Sequence, residues 1–357
     1  MLLIIIGLIL FVLLVVVHEW GHFISARRNG VEVEEFGLGF PPKAKTITKK
    51  NGTEYTLNWL PLSGFVKLKG EHTSATAKGS FGAASFGKKT LIIFAGVAMN
   101  WLTAAGIFTL LALVGMPQLV PGQFQVKSDA HVVRQEVLVG AVEDSSPAKQ
   151  AGLQSLDKIV MIGNVPINTS DQLKLTTTKY RGQTVQISYV RNGEVFTKQV
   201  ALRSDTQQGA LGVAPQDNSV VRSTWSALVV GIGTTVQLTI ATYQGIFHAL
   251  ANLFTGHAGT ASQSVTGPVG IFLTLKALAS QGFVFVLFLI GVISLSLAVF
   301  NSLPIPALDG GRWFVMAAYK LMKKPLSKET EERIHGTGMA LLLLMALLIT
   351  IVDIKRF

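Results

Sequence analysis

Apolar residues in this chain gather in long runs more than in periodic stripes. Met1–Val17 is one unbroken run, and its helix is predicted to continue past His18–His22 to about Ser25. Leu91–Gly115 and Phe283–Leu303 are equally apolar, and Gly338–Val352 reaches spanning length with Ile334–Thr337 and Asp353–Ile354 added. About twenty apolar residues cross a bilayer as a helix, so four spans are predicted. Trp225–Phe254 is uncharged and long enough to cross. However, Gln237, Gln244, His248 and Asn252 share one helical face, which predicts a helix lying on the surface or packing on the bundle.

Strand-like patterns occupy two other regions. Ala44–Thr48 and Tyr55–Trp59 flank Asn51-Gly52, a strong hairpin signal. Short strands are also predicted at Gln135–Val142, Lys158–Ile162, Thr184–Val190 and Val195–Leu202. Pro147–Leu153 suits a short helix start capped by Ser145 or Ser146. This second region, 121–215, has nearly balanced charge and the size of a small soluble domain.

Composition agrees with a chain largely in lipid. Of 357 residues, 49% are hydrophobic and 14% charged, against roughly 25% charged in soluble domains. The net charge of +11 comes from Lys and Arg flanking apolar runs. That pattern is the positive-inside bias and speaks against nucleic acid. No Lys or Arg precedes the first run, while Arg27 and Arg28 follow it. This order is the reverse of a cleaved signal and predicts a retained helix with its N-terminus outside. The stretch 27–89 holds 11 Lys/Arg against 5 Asp/Glu, as a cytoplasmic loop should. The expected organisation is a first span over 1–26, that loop with its hairpin over 27–89, and a second span over 90–116. The domain at 121–215 is then outside by parity. An amphipathic helical linker follows over 222–280, a third span over 281–311, a cytoplasmic loop over 312–333 and a fourth span over 334–354. No internal repeat is evident. With no cysteine present, a metal would need His, Asp or Glu.

His18-Glu19-Trp20-Gly21-His22 supplies two of these. On a helix the two His lie one turn apart and can share Zn²⁺, with Glu19 in reach of a bound water. Zinc brings the pKa of such a water to about 7. A Glu in a spanning helix costs about 2–3 kcal/mol, so it is rarely idle. The plainer alternative is that these residues are the wet end of the helix. A catalytic zinc takes three protein ligands, and Asp309 is the best candidate for the third. It follows Pro304 and Pro306 at the end of the third span, where the broken ladder needs a cavity or protein around it. The alternative there is an ordinary helix-ending turn at Asp309-Gly310. Topology constrains the pairing. A single extra crossing by Trp225–Phe254 would leave Asp309 about 30 Å from the His pair. The ligand set therefore requires that this segment does not cross, or that a second re-entry before Phe283 restores parity.

These motifs resemble the site-2 protease family, specifically the bacterial RseP-type with one PDZ insertion. His18, Glu19 and His22 match its H-E-x-x-H. Asn301, Pro304, Pro306, Leu308, Asp309 and Gly310 match its N-x-x-P-x-P-x-L-D-G. Ser63–Lys67 resembles its G-F-V-K segment and Thr266–Ile271 its G-P-V-G-I segment. The resemblance implies a polytopic α-helical membrane protein of about four transmembrane helices, with a membrane-associated β-hairpin and an inserted α+β PDZ domain. It implies hydrolysis of transmembrane segments of pre-trimmed single-pass proteins, such as anti-sigma factors or signal-peptide remnants. His18, His22 and Asp309 would hold Zn²⁺, Glu19 would be general base and acid, and Asn301 would help hold substrate or the tetrahedral intermediate. The hairpin, with Tyr55, Leu57, Gly64 and Phe65, would present an edge to an unwound substrate, because β-augmentation replaces the hydrogen bonds a helix loses. It implies a bacterial inner membrane, with the site near the cytoplasmic side and the PDZ domain outside.

Several positions depart from the family pattern. Gly96-Val97-Ala98-Met99-Asn100 lacks the proline of G-P-x-x-N but keeps Asn100, which is retained as a packing or substrate residue. Ser155-Leu156-Asp157 stands where P-G-D is usual, and Gly163-Asn164 replaces N-G. The PDZ ligand edge would lie around Gly209–Val213, including Gly212, with a plain surface turn as the alternative. Two other functions compete. A silent PDZ-bearing scaffold or receptor has no need of Glu19, which is not a ligand. A zinc transporter needs polar groups strung across several helices, whereas the spans offer Asn100, Asn301 and hydroxyls and no mid-membrane carboxylate.

Overall fold

The computed structural model describes residues 1–72, 74–191, 193–205, 208–254 and 267–356. Thr266 and 255–266 of the expected linker lie outside them. The chain divides into two compact units, one of Met1–Leu110 with Leu228–Phe357 and one of Leu111–Ala227.

The first unit is built on helices α1 (Leu2–Arg28) and α2 (Phe86–Val114). Among the described residues four helices are long and apolar enough to cross a membrane: these two, Phe283–Ser302 and the helix beginning at Lys328. With α5 Ala227–Phe254 and α6 Pro268–Gln281 placed before them, the latter two are α7 Phe283–Ser302 and α9 Lys328–Arg356; α8 is Asp309–Leu321. Their wide apolar faces suit lipid outside and packing inside. Leu14, Val286 and Ile290 form one buried cluster, and Phe23, Phe36, Ile92 and Met316 belong to another.

Helix α5 is not one of these four. It packs on the bundle through buried Val230, Thr234, Thr235 and Leu238. Its course is antiparallel to α2, with Gly231 against Thr109 and Thr239 Oγ1 accepting from Trp101 Nε1 at 3.2 Å. Further on, the Tyr243 hydroxyl bonds Ser302 Oγ at 2.6 Å, at the end of α7. Helix α6 nonetheless begins at the opposite end, where Asp353 near the end of α9 accepts from Gly270 N at 2.9 Å. Helix α7 runs in the direction of α1, which brings Asp309 to the His18 end of the bundle. The linker helix expected on the surface or on the bundle thus packs on the bundle, along α2.

Between α1 and α2, strands β1 (Val33–Lys50) and β2 (Thr53–Leu68) pair antiparallel around Asn51-Gly52. Both turn residues have positive φ, 52° and 82°, as a type I′ turn requires. The strands are longer than the sequence suggests and each doubles as two segments. Gly37 pairs with both Phe65 and Thr56, while Lys45 pairs with Leu57 and Thr48 with Tyr55. The segment order is 64–68, 33–40, 54–60, 43–50. Tyr55 and Leu57 therefore sit on an inner segment with partners on both sides, contrary to their expected place at a substrate edge. The alternation around the hairpin turn did not reveal that the first half of β1 inserts beside it.

The expected cytoplasmic loop over 312–333 is largely helical. Asp309-Gly310-Gly311 opens α8 rather than ending a helix, because Trp313, Met316 and Tyr319 recur at helical spacing and pack on the Phe23 cluster.

Among the described residues the second unit is a seven-stranded antiparallel sheet with two short α-helices, α3 (Pro147–Gln150) and α4 (Ser170–Lys179), and a 3₁₀ turn at Lys127–Asp129. Its strands are β3 (Met116–Pro117), β4 (His131–Val142), β5 (Lys158–Ile162), β6 (Val165–Pro166), β7 (Thr184–Arg191), β8 (Glu194–Ala201) and β9 (Val213–Arg222). Their order is β3-β9-β4-β5-β7-β8, with β6 on β5. Ser146 caps α3, accepting from Lys149 N at 3.1 Å. The inward residues Val137, Val139, Ile159, Ile162 and Ile187 are fully buried. The sheet extends beyond the expected 121–215 boundaries at both ends. Strand β9 was hidden by Pro215, Asp217 and Asn218, residues poor in strands. Pro215 is tolerated because β3 pairs only with Val220 and Val221, leaving the proline on an edge.

Candidate metal centre

His18 and His22 stand one turn apart on α1, and α2 fixes both rings. His22 Nδ1 lies 2.8 Å from the Ile92 carbonyl oxygen. Only a protonated Nδ1 makes that bond, so Nε2 carries the lone pair. His18 Nδ1 lies 3.4 Å from the side-chain nitrogen of Asn100, which is 1% exposed and whose Oδ1 has no partner in that orientation. Turning the amide over sets its oxygen, as acceptor, against His18 Nδ1–H. Each His then offers Nε2, and the two Nε2 atoms are 3.2 Å apart. Helix α2 comes this close because residue 96 is glycine: any side chain there would overlap both imidazoles.

Asp309 is the first residue of α8, a position that favours a carboxylate. The chain leaves α7 at Leu303, passes Pro304 and Pro306, and turns at Ala307 with φ 84°. Asp309 Oδ2 thereby reaches 3.1 Å from His18 Nε2 and 3.2 Å from His22 Nε2. This oxygen is buried and, among the described residues, has no hydrogen-bond donor beside those two ring nitrogens. Three electron-rich atoms held this close call for a cation between them. Ligands 2.0–2.1 Å from a tetrahedral zinc would be about 3.3 Å apart, so the donor set fits zinc. Among the described residues it is the one group of three or more His, Asp or Glu so arranged.

Glu19, next along α1, faces the segment 64–68, where a side chain at Gly64 would come within 3.2 Å of Glu19 Cγ. Phe65 covers Gly37 on the neighbouring segment, whereas Tyr55 packs with Phe23 and Phe36 below. Asn301, in the last turn of α7, bonds the Leu297 carbonyl at 2.9 Å. Asn100 is buried against His18. Gly212 lies in the inserted unit with φ 76°, its carbonyl accepting from Glu143 N at 3.0 Å. A cavity of ≈ 500 Å³ is lined by Asp309 together with Glu71, Arg312, Glu331 and His335.

Sequence reasoning did not assign roles to the Ile92 carbonyl or Gly96. The only signal was a glycine one turn before Asn100 within an apolar span, a spacing that permits close helix approach.

The model of peptidase family M50 matches residues 6–345. A relative from Clostridium perfringens is 32% identical, over 98% of this chain and 98% of its own. One from Clostridium acetobutylicum is 29% identical, over 98% and 97%. Zinc metalloprotease RasP of Oceanobacillus iheyensis is 26% identical, over 98% of both chains. A solved PDZ domain from Listeria monocytogenes is 24% identical and matches 24% of this chain and 92% of its own, at a TM-score of 0.21 that is too low to carry a fold argument.

Proposed function

The chain belongs to peptidase family M50, the site-2 proteases, and from that premise we propose that His18, His22 and Asp309 hold the zinc of a protease whose general base is Glu19. As a member it is an integral membrane, zinc-dependent metalloprotease of the intramembrane class. The observation that carries the residue assignment is the orphaned Asp309 Oδ2, about 3 Å from two Nε2 atoms whose opposite nitrogens are fixed. When bound, zinc supplies Lewis acidity toward a carbonyl and a water that ionises near neutral pH. Glu19 would serve as general base toward the attacking water and as general acid toward the leaving amine. Segment 64–68, beside Glu19, aligns an unwound substrate strand, and backbone pairing supplies the hydrogen bonds lost on unwinding. Asn301 steadies the substrate. The cavity at Asp309 admits water.

The substrates are pre-trimmed single-pass proteins, anti-sigma factor-like or remnants of signal peptides. Arg27, Arg28 and the basic 27–89 loop orient the site toward the cytoplasmic side of a bacterial inner membrane, with the unit Leu111–Ala227 outside. That unit is PDZ-like and binds a peptide end. The test is cleavage of a model single-pass substrate by the detergent-purified chain and by Glu19→Gln. Cleavage that vanishes in the variant while zinc is retained is expected. Equal cleavage by both would reject Glu19 as base.

A further inference from the structure

Helix α9 gives no ligand to the centre, yet it touches the loop that carries Asp309. The backbone N–H of Ala307 donates to His335 Nδ1 at 3.2 Å. Ala307 sits at φ 84°, where a residue with a Cβ pays a conformational penalty and persists only if its surroundings hold it. One turn along the same face of α9, Gly338 lies against Pro306 so closely that any side chain would overlap the proline carbonyl. The far side of α8 is fixed separately. Arg312, one turn after Asp309, donates to Glu71 Oε1 at 2.9 Å and lies 3.7 Å from Glu331 of α9.

We propose that His335 is a positioning residue for the metal centre: its Nδ1 holds the Pro306–Leu308 turn in the strained conformation that aims Asp309 at His18 and His22. Removing this acceptor frees the turn to relax toward negative φ. Asp309 is two residues further on, and its Oδ2 would swing from the two Nε2 atoms. The effect passes through ligand geometry, so metal affinity responds first. Groups that orient metal ligands typically control 10–100-fold in affinity or activity. The inference rests on the ligand set proposed above.

The experiment measures zinc affinity of the full-length detergent-solubilised chain by chelator competition, together with the visible spectrum of the Co²⁺-substituted protein. His335→Leu keeps bulk and removes the acceptor, whereas His335→Asn restores an acceptor near the place of Nδ1. The expected result is a 10–100-fold loss of zinc affinity and an altered Co²⁺ spectrum in His335→Leu, with His335→Asn within a few-fold of the native chain. Native affinity and spectrum in His335→Leu would overturn the proposal. So would an equal loss in both variants, because bulk packing and not the acceptor would then be responsible. Should His335→Leu not fold, Gly338→Ala, which presses on Pro306 from the same face, is expected to lower zinc affinity, and native affinity there would overturn the clamp. Asp309→Ala run alongside separates the two readings: if it keeps zinc, the ligand set itself fails, whatever His335 does.

Discussion

His22 Nδ1 is bonded to the backbone carbonyl of Ile92, 2.8 Å away on the neighbouring helix. A backbone acceptor cannot rotate away, so the ring of His22 is fixed by the same helix that backs His18 through Asn100. The two imidazoles therefore depend on how closely α2 approaches α1, and Gly96 sets that approach. Gly96→Ala is expected to abolish zinc binding and cleavage together. Helix propensity favours the substitution by about 1 kcal/mol, so α2 itself should persist. Zinc content and helical circular dichroism of the purified variant check this; a zinc-loaded, active Gly96→Ala would mean the helices can separate without cost to the site.

Asn100 should act on the metal and not on the substrate. Its amide is buried behind His18, so Asn100→Leu removes the acceptor that holds the His18 tautomer. Zinc affinity is expected to fall about 10–100-fold, with KM for a model substrate unchanged once zinc is saturating. Asn100→Asp, which keeps an acceptor, should retain affinity. A raised KM with native zinc affinity would return Asn100 to the substrate side.

The parts of the site set by spacing within one element were legible in the sequence. His18 and His22 follow from the four-residue turn of a helix, and Asp309 from a carboxylate beside two helix-breaking prolines. The four spans followed from apolar runs. What stayed hidden depends on partners distant in sequence. Gly96 carries no chemistry of its own, and only the approach of α1 gives it a role. Tyr55 and Leu57 fit an edge strand until Val33–Phe40 inserts beside them. Strand β9 breaks strand composition at Pro215 and is rescued by ten paired positions along β4. Asp309-Gly310-Gly311 has the chemistry of a turn, but α8 is held by apolar contacts of Trp313 and Met316 that no local rule weighs.

Leu156 occupies the place where glycine is usual in the resembled family, and the reason is visible in its φ of 71°. A side chain in this left-handed region costs about 1–2 kcal/mol. Its N–H nevertheless bonds Val139 O at 2.7 Å, so the turn is retained. The side chain is 40% exposed, and little burial is lost by removing it. Leu156→Gly is expected to stabilise the inserted unit by about 0.5–1 kcal/mol, after the larger chain entropy of glycine is deducted. The unfolding midpoint of that unit, followed by limited proteolysis of the full chain against temperature, should rise. A fall would show that Leu156 contributes more by packing than it loses by strain.

Asp129 gives the inserted unit an acid-sensitive lock. Burial alone would raise its pKa, but the hydroxyls and backbone N–H groups of Ser226 and Thr224 all donate to the carboxylate and outweigh that cost. The net direction is downward, well below the usual carboxylate range. A group with a depressed folded pKa stabilises the native state fully above its unfolded value, about 3.9, and loses that contribution as pH falls through the folded value. Stability of this unit should therefore be flat in Asp129's contribution from neutral pH down to about pH 4 and decline below it. Asp129→Asn removes the charge and turns one acceptor into a donor facing Ser226 and Thr224, so the variant should be less stable at pH 7 and show a shallower decline in acid. Protease resistance of 111–227 in the full chain, compared between pH 7 and pH 3, reads both effects. Parallel acid profiles for the native chain and the variant would mean that another carboxylate, and not Asp129, governs the acid limit.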